Sequence, residues 1–277
     1  MAATRSTRVP ASVRAVPAIP ALFEPEGSGF VSAPIARGPW DERMMHGGAP
    51  SALIARTIEA AEPGSELVVT RLTIDFLSGV PLGAVEVAAS VVRPGRRFQV
   101  VEATLDAGGR HACLARAVRV RRADLPEADV APPGPAPLPP PEDGEDLPLF
   151  FDRTGELFYP DACEIRHVGG ELGSGSVAAW IRLRGEVVAG ERPSQLACVA
   201  AAADFANGLS WILPWRDWLF VNTELTIHLA REARGEWIGL DARTASSAGG
   251  FGLSTATLHD LDGPIGVCAQ SLFVEPR

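Results

Sequence analysis

Three places in the sequence set polar groups among apolar neighbours. In MMHGGAPSALIAR, residues 44–56, His46, Gly47 and Gly48 stand directly before Ala, Leu and Ile at helical spacing. Glycines there either let the chain turn and pack closely, or leave bare N–H groups at a helix start for a polar partner. In ACVAAAADFA, Asp204 is the one acid in a run of Ala, Cys, Val and Phe. A carboxylate in that setting is costly unless it is paired or put to use, for instance in taking a proton. In VCAQSLFV, Gln270 interrupts an apolar strand; its amide can hold a water or a carbonyl, or can simply face solvent. Trp211, Trp215 and Trp218, with Phe220, follow the Asp204 run and can line a ligand pocket or fill a core.

Composition narrows the chemistry. The chain has 277 residues, enough for one large domain or two ordinary ones, and is 46% hydrophobic. Its net charge of −9 is the wrong sign for a general nucleic-acid binder. Arg116, Arg119, Arg121 and Arg122 alternate with Ala117, Val118 and Val120, which reads as a strand with one polar face at a solvated edge. There is no lysine, so Schiff-base chemistry, a P-loop lysine and pyridoxal phosphate are excluded. Cys113, Cys163, Cys198 and Cys268 form no CxxC pair and read as buried free thiols in a reducing cytosol, which makes the expected location cytoplasmic. The five histidines form no HxH or HxxxH spacing, so neither a metal nor a cofactor is expected. No apolar run is long enough to span a bilayer. Residues 1–23, rich in Arg and Pro, read as a disordered tail.

The elements that must position these residues occur twice. Leu72-Thr73-Ile74, Phe98 and Ala103-Thr104-Leu105 return 153 residues later as Leu225-Thr226-Ile227, Phe251 and Ala256-Thr257-Leu258. CLARAVRV (113–120) then overlies VCAQSLFV (267–274) after a one-residue shift, which sets Arg116 opposite Gln270. Three features in one register indicate a duplicated domain. The acidic, Pro-rich stretch 123–148 reads as a semi-rigid linker with no core of its own. The chain thus divides into a tail (1–23), a first module (24–122), the linker (123–148) and a second module (149–277). Each module reads as a β segment, one helix and four strands, an α+β plan. The helices are expected at 48–61 and 193–208, the second starting at Pro193 and capped by Asn207-Gly208. The second helix is apolar on every side, as a sheet wrapped around a central helix requires.

The order of these features resembles the double-hotdog acyl-CoA thioesterases, the acyl-CoA thioesterase II-like group. It runs from a His-Gly-Gly helix start through a Pro-rich linker and a second helix with Asp to a closing strand with Gln, over about 24–122 and 149–276. GRRFQVVEATL and the stretch from REARGEWIGLDARTA to VCAQSLFV carry it most clearly. The resemblance implies a double hotdog, two tandem modules that each wrap an antiparallel sheet round a central helix. It implies hydrolysis of a fatty acyl-CoA to free acid and CoA by water activated at an Asp. The family's Asp falls on Asp204 and its Gln on Gln270; its Thr falls on Asn222, a departure, though Asn can also donate and accept. His46, Gly47 and Gly48 then become a wall and an oxyanion device, and Trp211 and Trp215 an acyl pocket. Arg231 and Arg234 either meet CoA phosphates or lie in a solvated loop.

The first half offers Ala60 or Ala61, Thr70 or Arg71, and Arg116 at the matching places, so one working site per chain is expected, with Arg116 paired to an acid such as Glu102. The expected partner is acyl-CoA, without nucleic acid or membrane, in a homo-oligomer. The rival readings are a non-catalytic acyl-CoA-binding hotdog protein and a hotdog enoyl-CoA hydratase or dehydratase.

Overall fold

The computed structural model describes residues 19–62, 66–129, 137–149, 151 and 153–277. The first half holds strands β1 (Phe23–Glu26) and β2 (Gly29–Ser32), helix α1 (Gly48–Ala60), and strands β3 (Leu67–Phe76), β4 (Ala84–Arg93), β5 (Phe98–Ala107) and β6 (Arg110–Arg121). The second holds β7 (Glu145–Asp146), β8 (Cys163–Glu171) and β9 (Ser176–Leu183), then helices α2 (Gln195–Ala203) and α3 (Ala206–Leu209). Strands β10 (Trp218–Asn222), β11 (Glu224–Leu229), β12 (Trp237–Ser246), β13 (Phe251–Asp260) and β14 (Gly263–Pro276) complete it. Alternation builds the strands: Phe98–Ala107 buries every second residue against the helices. The sheet runs β1-β2-β4-β5-β6-β3-β11-β14-β13-β12-β9-β8-β7, with β10 also on β14. The modules meet where β3 pairs with β11, Thr73 opposite Thr226, and the α+β double wrap around two buried helices is as expected.

The duplication is more regular than the sequence suggests. Strands Ala84–Arg93 and Phe98–Ala107 return 153 residues on as Trp237 to Ser246 and Phe251–Asp260. The N–H groups of Leu77 and Ser78 both donate to Ala112 O, and those of Ala230 and Arg231 both donate to Ile265 O. The closing strands keep the same offset: Thr73 faces Arg116 as Thr226 faces Ala269. The one-residue shift is therefore wrong. Gln270 corresponds to Ala117, not to Arg116. Asn222, opposite Leu272, corresponds to Val69, opposite Arg119, rather than to Thr70 or Arg71.

Other expectations are corrected by packing. Strand β6 is no edge; it lies between β5 and β3. Its period of two turns Ala115, Ala117 and Arg119 inward, so Arg119 is buried, with its guanidinium on Ile58 O. Arg116 faces out and pairs with Glu102, as expected. Residues 19–23 do not behave as a tail: Leu22 and Phe23 are buried, and their N–H groups donate to Glu186 O and Val187 O of the second half. The expectation for 1–18 lies outside the described residues. The end of the Pro-rich stretch also packs: Pro141 and Leu147 are buried, and Trp180 Nε1 donates to Pro139 O at 2.7 Å. Arg231 is not in a merely solvated loop, because it grips the buried Asp260 with two contacts of 2.5 Å.

Candidate active site

The second helix is not continuous over 193–208. Ser194 caps it, accepting from Ala197 N at 3.1 Å, and α2 ends at Ala203 with Asp204 as its C-cap. The short α3 follows, so Asn207 and Gly208 lie inside a helix rather than capping one. Gln270 spans this break. Its Oε1 accepts from Asn207 N at 3.0 Å and its Nε2 donates to Asp204 O at 3.3 Å. A buried break leaves backbone groups without intrahelical partners, and one glutamine amide supplies a donor and an acceptor together. The break lets the Asp204 side chain leave the helix pair at its end.

That carboxylate is buried but not unpartnered. Asn222 Nδ2 donates to Oδ1 at 2.9 Å, and His46 Nδ1 lies 3.0 Å from Oδ2. The imidazole is clamped between Phe158 and Phe205, with ring centroids 4.8 and 4.4 Å away. Gly48 N also donates to His46 Nδ1 at 3.0 Å. The two glycines do different jobs. A Cβ on Gly47 would lie 2.8 Å from both Asp204 oxygens, so this residue makes room for the carboxylate. A Cβ on Gly48 would lie 2.7 Å from Ala201 O, so this one lets α1 and α2 touch. The Gly47 N–H has no partner among the described residues, whereas His46 N donates to Ala36 O and Ala49 N to His46 O.

Asp204, His46, Gly47 and Asn222 meet on a cavity of about 370 Å³ between the modules. Trp211 and Trp215 line it. Gly48 and Gln270 do not reach it; both hold the helix ends in place from behind. Trp218 packs with Phe220, Leu272 and Val274 instead. Sequence reasoning missed Phe158, Leu147 and Trp40. Phe205 stood beside Asp204 in the sequence, which was the one signal that could have pointed to it.

The thiols near the carboxylate are inert. Burial, with the Asp204 charge adding to it, pushes Cys113 up to about 12. Burial does the same to Cys268, also to about 12, against an opposing backbone contact from Ala256. Neither is a thiolate nucleophile near neutral pH. Among the described residues no His, Cys, Asp or Glu cluster could hold a metal ion, and no helix is long and apolar enough to cross a membrane.

What remains is a buried carboxylate with two side-chain partners, beside a backbone N–H without a partner among the described residues, on the wall of an apolar cavity. Residues 36–121 match the acyl-CoA thioesterase N-terminal domain and 127–274 the C-terminal domain. No protein among curated ones matches the sequence significantly. A hot dog fold protein of unknown function from Alicyclobacillus acidocaldarius is similar, with TM-score 0.68 and 18% identity over 92% of this chain and 95% of its own. The tesB protein of Mycobacterium avium subspecies paratuberculosis gives 0.66 and 17% over 92% and 96%. The acyl-CoA thioesterase II TesB2 of Mycobacterium marinum gives 0.61 and 15% over 83% and 91%. At such identities the likeness to these structures is one of fold, whereas the two domain matches take in most of the chain. The chain belongs to the acyl-CoA thioesterase family, in its tandem hotdog form.

Proposed function

We propose that this chain hydrolyses acyl-CoA thioesters to the free acid and CoA, with Asp204 as the base. The observation that carries the reading is a buried carboxylate held on both oxygens, by Asn222 and His46, on the wall of an apolar cavity. A carboxylate has about four lone-pair positions, so both oxygens can still receive a water. Water held by Asp204 adds to the thioester carbon and passes its proton to the carboxylate. The carbonyl oxygen gains negative charge, and the Gly47 N–H, without a partner among the described residues, supplies a donor to it. The intermediate collapses with cleavage of the C–S bond, and the proton on Asp204 goes to the departing sulfur.

Asn222 suits the place where the resemblance puts Thr. It spends Nδ2 on Asp204, and its amide oxygen, without a partner among the described residues, can accept from the attacking water. His46 serves both protonation states of the base. With its proton on Nδ1 it donates to ionised Asp204. With Nδ1 bare, its one lone pair accepts either from Gly48 N–H or from protonated Asp204. Gln270, whose amide is engaged on the backbone at the helix break, is a positioning residue in this scheme.

The test is steady-state release of free thiol from a panel of acyl-CoAs. Turnover that depends on Asp204 is expected. Tight binding without thiol release would leave a non-catalytic acyl-CoA-binding protein instead.

A further inference from the structure

The internal repeat places a second cavity, of about 310 Å³, at the opposite corner of the helix pair. Its wall residues Leu67, Val68 and Val69 stand 153 positions before Phe220, Val221 and Asn222 of the reactive cavity; Leu229, Glu232 and Ala233 stand 153 after Phe76, Gly79 and Val80. The two cavities are thus the same place in the fold, built twice at similar size. This gives an internal control for what the fold itself demands of those positions.

The control isolates one property. The chain has eighteen aromatic residues (six Trp, one Tyr, eleven Phe), and eight of the described ones line the reactive cavity. Among the described residues, none lines its counterpart. At matched strand positions Phe220 and Phe76 are replaced by Leu67 and Leu229, so leucine satisfies the packing there. Two ring pairs on the reactive wall are T-shaped: Trp40 with Phe220, centroids 5.8 Å apart at 79°, and Phe151 with Trp215, 6.4 Å apart at 89°. Such pairs present one ring's face and another's edge, an arrangement a further flat ring can join but a saturated chain cannot exploit. Aromatic side chains also have few rotamers, so the wall is pre-shaped. The cavity volume lies near the lower end of the ~300–1,000 Å³ usual for ligand sites, which suits a compact group better than a long chain.

We infer that the acyl group this site takes is aryl-bearing, a short acyl chain ending in a planar ring, rather than a long saturated fatty acyl group. The inference rests on the thioesterase reading only for the bond that is broken; the preference is a property of binding. The experiment therefore has two arms. In the first, kcat/KM is measured by thiol release for phenylacetyl-CoA, octanoyl-CoA, which has the same number of acyl carbons, and palmitoyl-CoA. A preference of about tenfold or more for the aryl substrate is expected from ring contacts of this kind. In the second, Kd is measured for the non-hydrolysable thioether analogues of the same three compounds, which reads the preference whether or not the enzyme turns over. Phe220→Leu, which installs the counterpart's residue, should collapse the aryl-to-octanoyl ratio in both arms. No thiol release from any compound with the binding preference intact would sink the hydrolysis reading and support the aryl inference. Equal or better binding of the octanoyl or palmitoyl analogue, or no binding of any, would overturn it.

Discussion

At the Asp204 corner the inward strand positions are Asn222 and Gln270; at the opposite corner the same positions are Val69 and Ala117. The helix ends differ in the same sense. Helix α1 has Gly47 as its N-cap, with no side chain of its own to cap it, and α2 ends on Asp204. At the other corner Ser194 caps α2 in the ordinary way and α1 ends on Ala61. Against glycine, a serine cap is worth roughly a few tenths of a kcal/mol. The reactive corner forgoes that contribution so that a carboxylate can approach backbone that carries no side chain. The quiet corner keeps its cap and turns Glu59 onto Ser194 instead. Two equal backbones therefore carry different corners: one seats a buried carboxylate against bare backbone, the other keeps a capped helix end.

The largest effect that separates the corners should come from Asp204→Asn. Turnover should fall by at least about a hundredfold, the scale of a lost general base, with an unchanged thermal midpoint. Wild-type rates in that variant would remove Asp204 from the mechanism. Gly47→Ala comes next. Its new Cβ would stand 2.8 Å from both carboxylate oxygens, and a shift of that kind costs roughly tenfold to a hundredfold in kcat. Gly48→Ala presses on Ala201 O instead and should mainly lower the midpoint; the reverse pattern would show that the two glycines have been assigned the wrong way round.

Gln270→Ala should lower kcat by about tenfold while destabilising the fold by about 1–3 kcal/mol, because two buried backbone groups lose their partner. KM should change little, since Gln270 does not line the cavity. A rise in KM at constant kcat would place its amide on the substrate instead.

Smaller still is a pH effect at the quiet corner. Burial raises Glu59 above its ordinary value of 4.5, against the opposing Ser194 contact and Arg119 charge. A carboxyl raised in the folded state binds its proton more tightly there than in the unfolded chain. Its contribution is present in full below the ordinary value and is lost as pH climbs through the raised one. Glu59→Gln should therefore gain stability relative to wild type as pH rises from acid toward neutral, read as denaturant midpoints across that range; a constant difference would refute the shift. Arg116→Ala should do least. The pair with Glu102 is exposed, so stability should change by less than about 1 kcal/mol and thiol release hardly at all. Damage comparable to Gln270→Ala would undo the register that separates these two residues.

Much of this architecture was legible in the one-dimensional pattern. Strand alternation, the small-residue helix and the recurrence of Leu-Thr-Ile are local or periodic signals, and they led to two helices, a wrapped sheet and a duplicated plan. The unusual residues, Asp204 and His46-Gly47-Gly48, stood out because their surroundings penalise them. What lay beyond reach was register and partnership. A strand pattern with a period of two does not reveal a slip of one residue when small and charged residues alternate, as in CLARAVRV; the ladder from Thr73 to Arg116 decides it.

By itself the sequence determined that a lone acid and a glycine-flanked histidine must each find a use, since an unpaired carboxylate among alanines is unfavourable in any fold. Only the tertiary structure decided that they find each other. Asp204 and His46 are far apart in the chain, and their contact depends on the end of one helix meeting the start of the other across the module boundary. The structure also decided the role of Gln270. Whether an amide on an inward strand position touches a ligand or mends a broken helix depends on where the facing helix stops, and α2 stops at Ala203, which leaves Asp204 O and Asn207 N within reach of Gln270.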